Sequence, residues 1–329
     1  MSKPPLLSLI TVTWNHRAEL DEYLAAIESC RERWGDRLEL VLVDNASADD
    51  TAAFVKDRAP WANVIRNDAN LGFAEGCNVG LRVARGRYLM LLNPDAYVNH
   101  EALAGMLAYL RGHRRAGAVG CRLLHGDGMP QISANHRTTA WGYFCSHSIA
   151  YPLLEKLGKL WWKAGQTATE PFVTGWLMGS CIMIPRAVFD KVGGLEASYF
   201  MYAEDADWCE RIRRAGWDVV HHPGFSMFHR QKGSARRAPE FTFRRVYRSL
   251  LHYANRNLTG FEYWAMILMM MADMVVRLPV YAVYSIVRPA RLERLRSVWR
   301  LLVMLAARNP DLYPDPVPGS GTRGGKGKR

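Results

Sequence analysis

Short apolar segments alternate with stretches of helical periodicity through the first part of the chain, and this alternation limits the possible folds more than any other feature. The strand candidates are Leu6–Thr13, Leu38–Val43, Asn63–Arg66, Tyr88–Leu92 and Ala118–Leu124, and the helix candidates are Ala18–Arg31, Ala48–Arg58, Phe73–Ala84 and Glu101–Arg111. Strands that alternate with helices favour a parallel sheet with right-handed crossovers. Nearly continuous apolar strands indicate that helices cover both faces. We therefore predict an α/β fold with a mostly parallel central sheet flanked by helices.

The pattern becomes less regular after Leu124 and changes character near residue 230. The later candidates are a strand over Gly175–Pro185, a helix over Glu204–Ala215, short strands over Asp218–His222 and Phe225–His229, and helices over Phe241–Asn255, Phe261–Val287 and Leu292–Ala306. The last twenty residues are rich in Pro, Gly, Lys and Arg, a composition typical of disorder. We expect three parts: an α/β domain over 1–230, a basic apolar helical region over 231–309 and a disordered tail over 310–329.

Positive charge is concentrated in the last hundred residues. The net charge is +12, yet residues 230–329 carry 19 basic and 6 acidic residues, whereas residues 1–229 are nearly neutral. Such asymmetry indicates an anionic membrane or a nucleic acid as partner. The basic residues are interleaved with a long apolar stretch, which favours a membrane surface and no nucleic acid.

The apolar segment Phe261–Val287 is long enough to span a bilayer but contains Asp273, Arg277 and Pro279. A charge at the bilayer centre costs about 2.5–3.5 kcal/mol on the insertion scale. We therefore expect helices that lie in the interface, peripheral or monotopic, at the cytoplasmic face of the inner membrane. Met1–Pro5 shows no signal-peptide pattern, and the six cysteines show no zinc-site spacing, so we expect buried thiols in a reducing compartment.

Polar residues follow each of the first four predicted strands. The segments are Thr11–Asn15, Asp44–Ser47, Asn67–Phe73 and Asn93–Asp95. Ligands of open parallel sheets bind beyond the carboxyl ends of the strands, so these side chains are candidate ligand contacts. The sequence has neither a GxGxxG dinucleotide fingerprint nor a P-loop.

The chain resembles the inverting glycosyltransferases of family 2, which have the GT-A fold, and the resemblance makes residues 1–230 a nucleotide-sugar-binding catalytic domain. The matching segments are Thr11–Asn15, Val43–Ser47, Asn70–Asn78, Leu92–Asp95, Gly175–Ser180, Tyr202–Arg211 and His229. The likeness covers nearly all of residues 6–230. Asn70–Ala74, Leu91–Ala96 and Gly175–Ser180 are most similar to the bacterial rhamnosyltransferase branch. The resemblance implies metal-dependent transfer of a sugar, L-rhamnose from dTDP-rhamnose, to a glycan or polyprenyl-diphosphate-linked acceptor in cell-wall or O-antigen synthesis.

The same resemblance assigns roles to individual residues. Asp205 would be the base that deprotonates the acceptor, with Glu204 as the alternative. Asp95 and His229 would bind Mg²⁺ or Mn²⁺; Asn93 stands where the family has the first acid of its Asp-x-Asp motif, which removes one charge from that site. The implied nucleotide-sugar contacts are Thr13, Asn15, Asp44, Asn70, Gly72, Asn78, Asn93, Asp95, Trp176, Gly179 and Ser180. A pocket of Trp176, Leu177 and Met178 would favour the methyl group of a 6-deoxy sugar.

Three other functions remain open at this stage. A UDP-hexose could be the donor in place of dTDP-rhamnose. A sugar-1-phosphate nucleotidyltransferase would need a glycine-rich basic loop after the first strand, but Thr13–Arg17 contains no glycine. A basic nucleic-acid-binding protein would agree with the sequence pI of about 9.6 but would need the basic residues on a polar surface.

Overall fold

The computed structural model describes residues 3–148, 168–230, 239–287 and 292–312. A nine-stranded sheet has the order β3-β2-β1-β4-β10-β6-β11-β5, with β8 also paired to β11, and β7 and β9 form a separate ribbon. The strands are β1 (Leu7–Thr13), β2 (Leu38–Asp44), β3 (Asn63–Arg66), β4 (Tyr88–Leu92), β5 (Ala96–Tyr97), β6 (Ala116–Leu124), β7 (Ala134–Asn135), β8 (Phe172–Val173), β9 (Trp176–Leu177), β10 (Cys181–Pro185) and β11 (Asp218–His229).

The half of the sheet built from the first four strands is parallel, as the sequence predicts. β1 pairs with β2 in register from Leu7–Leu38 to Thr13–Asp44, and it pairs with β4 on its other side. Both β1 and β2 are buried along their whole length. This double burial explains the continuous apolar runs.

The other half of the sheet is mixed, which the sequence did not indicate. β10 lies antiparallel between β4 and β6. The predicted strand Gly175–Pro185 is divided into β9 and β10, because the chain turns at Gly179 and Ser180 between them. The two strands predicted over Asp218–His229 are one strand, β11, with an irregularity between His222 and Ser226.

Helices cover both faces of this sheet. They are α1 (Leu20–Trp34), α2 (Thr51–Arg58), α3 (Gly72–Val83), α4 (His100–Gly112), α5 (Ala140–His147), α6 (Arg186–Val192), α7 (Glu204–Arg214), α8 (Pro239–Asn257), α9 (Gly260–Val287) and α10 (Leu292–Ala307). Helices α1, α2 and α4 pack in one core cluster, and α3, α7, α8, α9 and α10 pack in the other. Helix α2 begins three residues later than predicted, because the amide of Ala48 donates to Asn15 Oδ1 at 2.7 Å and holds that segment in a loop.

The C-terminal helices share a core with the sheet. Tyr247 of α8, Met270 of α9 and Val298 of α10 belong to the same buried cluster as Ile10 of β1 and Trp208 of α7. The five cysteines with described side chains are buried and unbridged, as expected. Residues 313–329, most of the predicted disordered tail, lie outside the described chain.

The charges inside α9 turn toward the protein. Asp273 Oδ2 accepts hydrogen bonds from Tyr143 Oη at 2.9 Å and Tyr247 Oη at 3.1 Å, and it pairs with Arg277 Nε at 2.8 Å. Asp273 and Arg277 therefore do not oppose contact between the opposite face of α9 and lipid. Within the described residues, one helix, Gly260–Ile286, has the length and composition of a membrane span, a measure that a buried core helix can also meet.

Candidate active site

A cavity of about 910 Å³ opens at the carboxyl ends of β1 and β4. Most of the predicted site residues line it. These are Thr13, Asn70, Gly72, Asn93, Asp95, Trp176, Gly179, Ser180, Glu204, Asp205 and His229. Three buried side-chain atoms that have no hydrogen-bond partner among the described residues belong to this wall: Asn93 Oδ1, Ser180 Oγ and Glu204 Oε2. Buried polar atoms are seldom left unpaired, so these three atoms indicate a polar ligand.

Asn15 and Asp44 are not among the residues that line this cavity. Asp44 is 1% exposed, and its carboxylate accepts from the Ser47 hydroxyl and lies 3.6 Å from Arg66 Nε. Asn15 has a left-handed backbone, with a φ of 55°, and its backbone N–H donates to Ser47 Oγ at 2.9 Å. These bonds shape the loops that follow β1 and β2. Direct contact of Asn15 and Asp44 with a nucleotide-sugar stays a prediction.

Asn78 also lies outside the cavity wall. Its side chain bonds both backbone groups of Leu195, each at 2.8 Å, and thereby ties α3 to the loop before α7. Leu177 is fully buried in the core, which corrects its predicted place in the sugar pocket. Successive strand residues point to opposite faces, so Trp176 and Met178 line the cavity while Leu177 does not.

Gly72 allows two cavity walls to approach each other. Its φ is +84°, and a Cβ atom at this position would lie 2.5 Å from the Phe200 carbonyl oxygen. The amide of Phe73 donates to that oxygen at 2.6 Å, and Asn45 Nδ2 donates to the Gly72 carbonyl at 2.8 Å. Glycine is needed here because a side chain would separate α3 from the segment that leads into α7.

The acidic pair at the start of α7 enters the cavity from a strained backbone. Tyr202 and Ala203 have positive φ angles of 74° and 64°, although neither is glycine. Left-handed backbone of this kind is costly and tends to persist at functional sites. The two residues place Glu204 and Asp205 at the cavity wall.

Asp205 is held by backbone amides on both carboxylate oxygens. Gly179 N–H donates to Oδ2 at 3.0 Å, and Ala206 N–H donates to Oδ1 at 2.8 Å. Burial raises the pKa of Asp205 despite these hydrogen bonds. Burial, with the adjacent Asp205 charge, raises the pKa of Glu204 well above its ordinary value. An oriented carboxylate with a raised pKa is suited to accept a proton.

Asp95 and His229 form the second polar pair of the cavity. Strand β5 pairs with β11 through Ala96 and His229, which brings the preceding Asp95 against the imidazole, with Oδ1 3.3 Å from Nε2. Burial would raise the pKa of Asp95, but the His229 hydrogen bond and charge outweigh it, so the pKa is lowered.

The donor atoms of this pair suit a divalent cation. A carboxylate oxygen and an imidazole nitrogen converge, and the unpaired Asn93 Oδ1 lines the same cavity. Mn²⁺ accepts such a mixed set, and Mg²⁺ prefers the oxygen atoms. In the described part of the chain no three His, Cys, Asp or Glu side chains form a metal cluster. A cation here would complete its shell with ligand oxygens and water.

Several wall residues were missed in the sequence. His16 lines the cavity two residues after Trp14, and its place just beyond the first strand was a usable signal. Phe200 and Tyr202 line it from the segment before α7. Helix α8 contributes further apolar side chains: Phe241, Val246 and Leu250. No local pattern could show this, because α8 reaches the cavity only through tertiary packing.

Sequence comparisons identify relatives of the chain. The family model for glycosyl transferase family 2 matches residues 8–193, more than half of the chain. An N-acetylglucosaminyl-diphospho-decaprenol L-rhamnosyltransferase of Mycobacterium tuberculosis is 28% identical over 255 residues, which cover 71% of this chain and 79% of that protein. Rhamnosyltransferase WbbL of Escherichia coli is 24% identical over 208 residues, which cover 57% of this chain and 76% of that protein.

A structural comparison supports the fold. A mannosyltransferase from Pyrobaculum calidifontis, solved in complex with GDP-Man and Mn²⁺, superposes with a TM-score of 0.57 at 18% identity. The superposition covers 94% of this chain and 88% of the other chain. The predicted GT-A-like fold is therefore confirmed.

Proposed function

Since the chain belongs to glycosyl transferase family 2, we propose that it transfers L-rhamnose from dTDP-rhamnose, with inversion, to a glycan or polyprenyl-diphosphate-linked acceptor in cell-envelope polysaccharide synthesis. The observation that carries this proposal is the single cavity shared by Asp205 and Glu204 with the Asp95–His229 pair. One pair suits proton removal, and the other suits a cation that holds a diphosphate. Sugar transfer from a nucleotide donor needs both functions.

Asp205 takes the proton of the acceptor hydroxyl. As the hydroxyl oxygen bonds to the anomeric carbon, the bond from that carbon to the diphosphate oxygen breaks on the opposite face, and its electron pair leaves with the nucleoside diphosphate. The proton moves to Asp205, whose orientation is fixed by the amides of Gly179 and Ala206. One displacement inverts the anomeric centre, and no covalent enzyme intermediate is required.

Asp95 and His229, with Asn93 nearby, are the residues that would hold Mg²⁺ or Mn²⁺. When bound, the cation would act as a Lewis acid that neutralises charge developing on the leaving diphosphate. Thr13, Asn70 and Gly72 line the same cavity and are the proposed nucleotide contacts. Asp44, whose carboxylate accepts from the backbone amide of Ser47, is the proposed contact for the base or ribose of the nucleotide.

The choice of rhamnose is supported by the two rhamnosyltransferase relatives and by the apolar wall. Trp176 and Met178 line the cavity and offer surface to the methyl group of a 6-deoxy sugar. Apolar discrimination of one methyl-sized difference is worth only about 1–3 kcal/mol. We therefore expect a preference for rhamnose rather than absolute exclusion of other sugars.

The proposed location is the cytoplasmic face of the membrane. Helix α9 carries an outer stripe of exposed apolar side chains: Phe261, Trp264, Leu268, Val275, Val276, Val280, Val283, Tyr284 and Ile286. Exposed Arg296 and Arg300 lie on the neighbouring α10 and suit anionic lipid headgroups. We assign donor chemistry to residues 1–230 and membrane contact to residues 231–309. A membrane surface would deliver a polyprenyl-linked acceptor.

A donor panel tests the proposal. Steady-state kinetics with dTDP-rhamnose, UDP-glucose, UDP-galactose and UDP-N-acetylglucosamine, each with Mn²⁺ and with Mg²⁺, should give the highest kcat/KM for dTDP-rhamnose. The added metal should be required in every productive reaction. A clear preference for a UDP-hexose would overturn the rhamnose assignment and leave the enzyme class intact. Turnover of nucleoside triphosphates with sugar 1-phosphates would overturn the transfer reaction itself.

A further inference from the structure

Gln131 holds the His229 ring through both ends of its side-chain amide. Gln131 Nε2 donates to the His229 carbonyl oxygen, and Gln131 Oε1 lies 2.9 Å from His229 Nδ1. Gln131 is 1% exposed and His229 is 4% exposed, so water does not compete for these bonds. The two residues are 98 positions apart in the chain.

The carbonyl oxygen of His229 determines the orientation of this amide. A carbonyl can only accept, so the nitrogen of the Gln131 amide must face it, and Oε1 must face the ring. Oε1 can only accept, so His229 Nδ1 must carry a hydrogen. In the neutral ring Nε2 then presents its lone pair toward Asp95 Oδ1, 3.3 Å away.

Both partners of the pair are anchored by backbone bonds. The backbone N–H of Gln131 donates to the Leu123 carbonyl at 2.7 Å, which fixes the residue against the end of β6. His229 belongs to β11 and pairs with Ala96 of β5. The position of Gln131 is therefore set by the sheet and does not depend on a mobile side chain.

We propose that Gln131 is a positioning residue, which fixes the tautomer and the ring plane of His229 so that Nε2 and Asp95 Oδ1 converge on one cation. This inference rests on the proposed metal site. Without a metal, a proton on Nε2 would bridge the ring to Asp95 Oδ1; a bound cation would replace that proton and take the Nε2 lone pair. Loss of a partner that orients a metal-bound imidazole typically costs about 10–100-fold in metal affinity.

The test is the Mn²⁺ affinity of Gln131→Met, measured by the electron paramagnetic resonance signal of free Mn²⁺ in the presence of dTDP. Affinity should fall about 10–100-fold, while dTDP binding without metal stays unchanged. Gln131→Glu retains an acceptor for Nδ1 and should lose less. Ser133→Ala is the matched control, because Ser133 is also buried and bonds Nε2 of His221, which lies on the same strand as His229 but outside the cavity. It should leave Mn²⁺ affinity unchanged.

The outcomes separate this inference from the metal site itself. If Asp95→Asn and His229→Ala bind Mn²⁺ as well as the wild type, the metal site is wrong. If these two variants lose Mn²⁺ and Gln131→Met does not, the metal site stands and the role of Gln131 is overturned. Nitrogen-15 NMR of histidine in the metal-free wild type gives a check that needs no folded variant. A hydrogen on Nδ1 is expected for His229, and a ring with Nδ1 unprotonated would contradict the inference.

Discussion

Three acidic residues within one turn of α7 lie in different surroundings and are expected to have different roles. Asp205 and Glu204 line the cavity, whereas Asp207 is fully buried and bonds Arg211 Nε at 2.7 Å and Asn257 Nδ2 at 2.8 Å. Asp207 thus ties α7 to α8. The first turn of a helix favours acids in general, so only the contacts distinguish a base from a structural ion pair.

Asp205→Asn should lower kcat by about 10²–10⁴-fold, because the amide cannot accept the acceptor proton. Donor binding, measured by calorimetry, should be retained. Asp207→Asn is the comparison: its melting temperature should fall, because a buried ion pair is broken, while the folded fraction should still bind donor. Near-normal turnover in Asp205→Asn would move the base to Glu204.

The raised pKa of Asp205 should determine where kcat falls on the acidic side of the pH profile. Asp205 works as the carboxylate, so kcat falls as the pH drops through its pKa and the base is protonated. Burial raises that pKa above the ordinary value of 3.8, so the acidic limb should lie above that value. A pH–kcat profile that stays level down to about pH 4 would contradict this expectation.

Backbone strain can be tested at Ala46, which follows the cavity-lining Asn45 and has a φ of 56°. Left-handed backbone costs an alanine about 1–2 kcal/mol. Glycine avoids this strain, but its greater freedom in the unfolded chain lowers the free energy of unfolding by about 0.5–1 kcal/mol. Ala46→Gly should therefore raise the free energy of unfolding by about 0.5–1 kcal/mol in urea titration. Ala108→Gly, on the exposed face of α4, should lower it by a similar amount. Equal losses in both variants would show that Ala46 is unstrained.

At the scale of elements, α9 has two faces with different partners. The inner face buries Asp273 against Tyr143 of α5 and Tyr247 of α8. The outer stripe carries no exposed charge from Leu268 to Ile286, because Asp273 and Arg277 turn inward. The proposed lipid contact is assigned to this apolar stripe.

Val283→Asp should reduce flotation with anionic liposomes by about tenfold or more, because a charge placed in an apolar lipid contact costs up to about 2.5–3.5 kcal/mol. Val173→Asp is the matched control, since Val173 and Val283 are 62% and 63% exposed and Val173 lies on β8 of the sheet. The control introduces the same charge and should float normally. Equal flotation of both variants and the wild type would show that the outer stripe is not the membrane contact.

At the scale of the whole molecule, one core joins the catalytic sheet to the C-terminal helices. Residues of α8, α9 and α10 share a buried cluster with β1 and α7. Arg214 Nη2 donates to the Asn257 carbonyl at 2.7 Å, which adds a polar tie between the two parts. The functional division near residue 230 is therefore not a division into separately packed bodies.

A chain that ends at Arg230 should be unstable, because it exposes the apolar surface that α8, α9 and α10 cover. The expected result is aggregation or a melting temperature far below that of the full chain. The full chain should unfold in one transition, with coincident near- and far-ultraviolet circular dichroism curves. A soluble 1–230 fragment with a cooperative transition and donor binding would show that the catalytic part folds alone.

The sequence by itself determined the parallel half of the sheet, the site at its strand ends and the acids at the start of α7. These features arise from local periodicity and from residues that follow a strand directly, so short segments carry the signal. Family resemblance added the pairing of Asp95 with His229. The placement of Asn15 and Asn78 outside the cavity lining depended on hydrogen bonds to Ser47 and Leu195, which are 32 and 117 positions away and which no short segment specifies.

Only the tertiary structure decided which neighbours meet across long stretches of chain. It set Gln131 on His229, brought α8 to the cavity, inserted β10 antiparallel into the sheet and turned Asp273 inward. Read along the sequence, the charges of α9 had argued against a membrane span, but their direction depends on Tyr143 and Tyr247. Such contacts are selected by the packing of the whole core, and the energy that selects them is absent from any single segment.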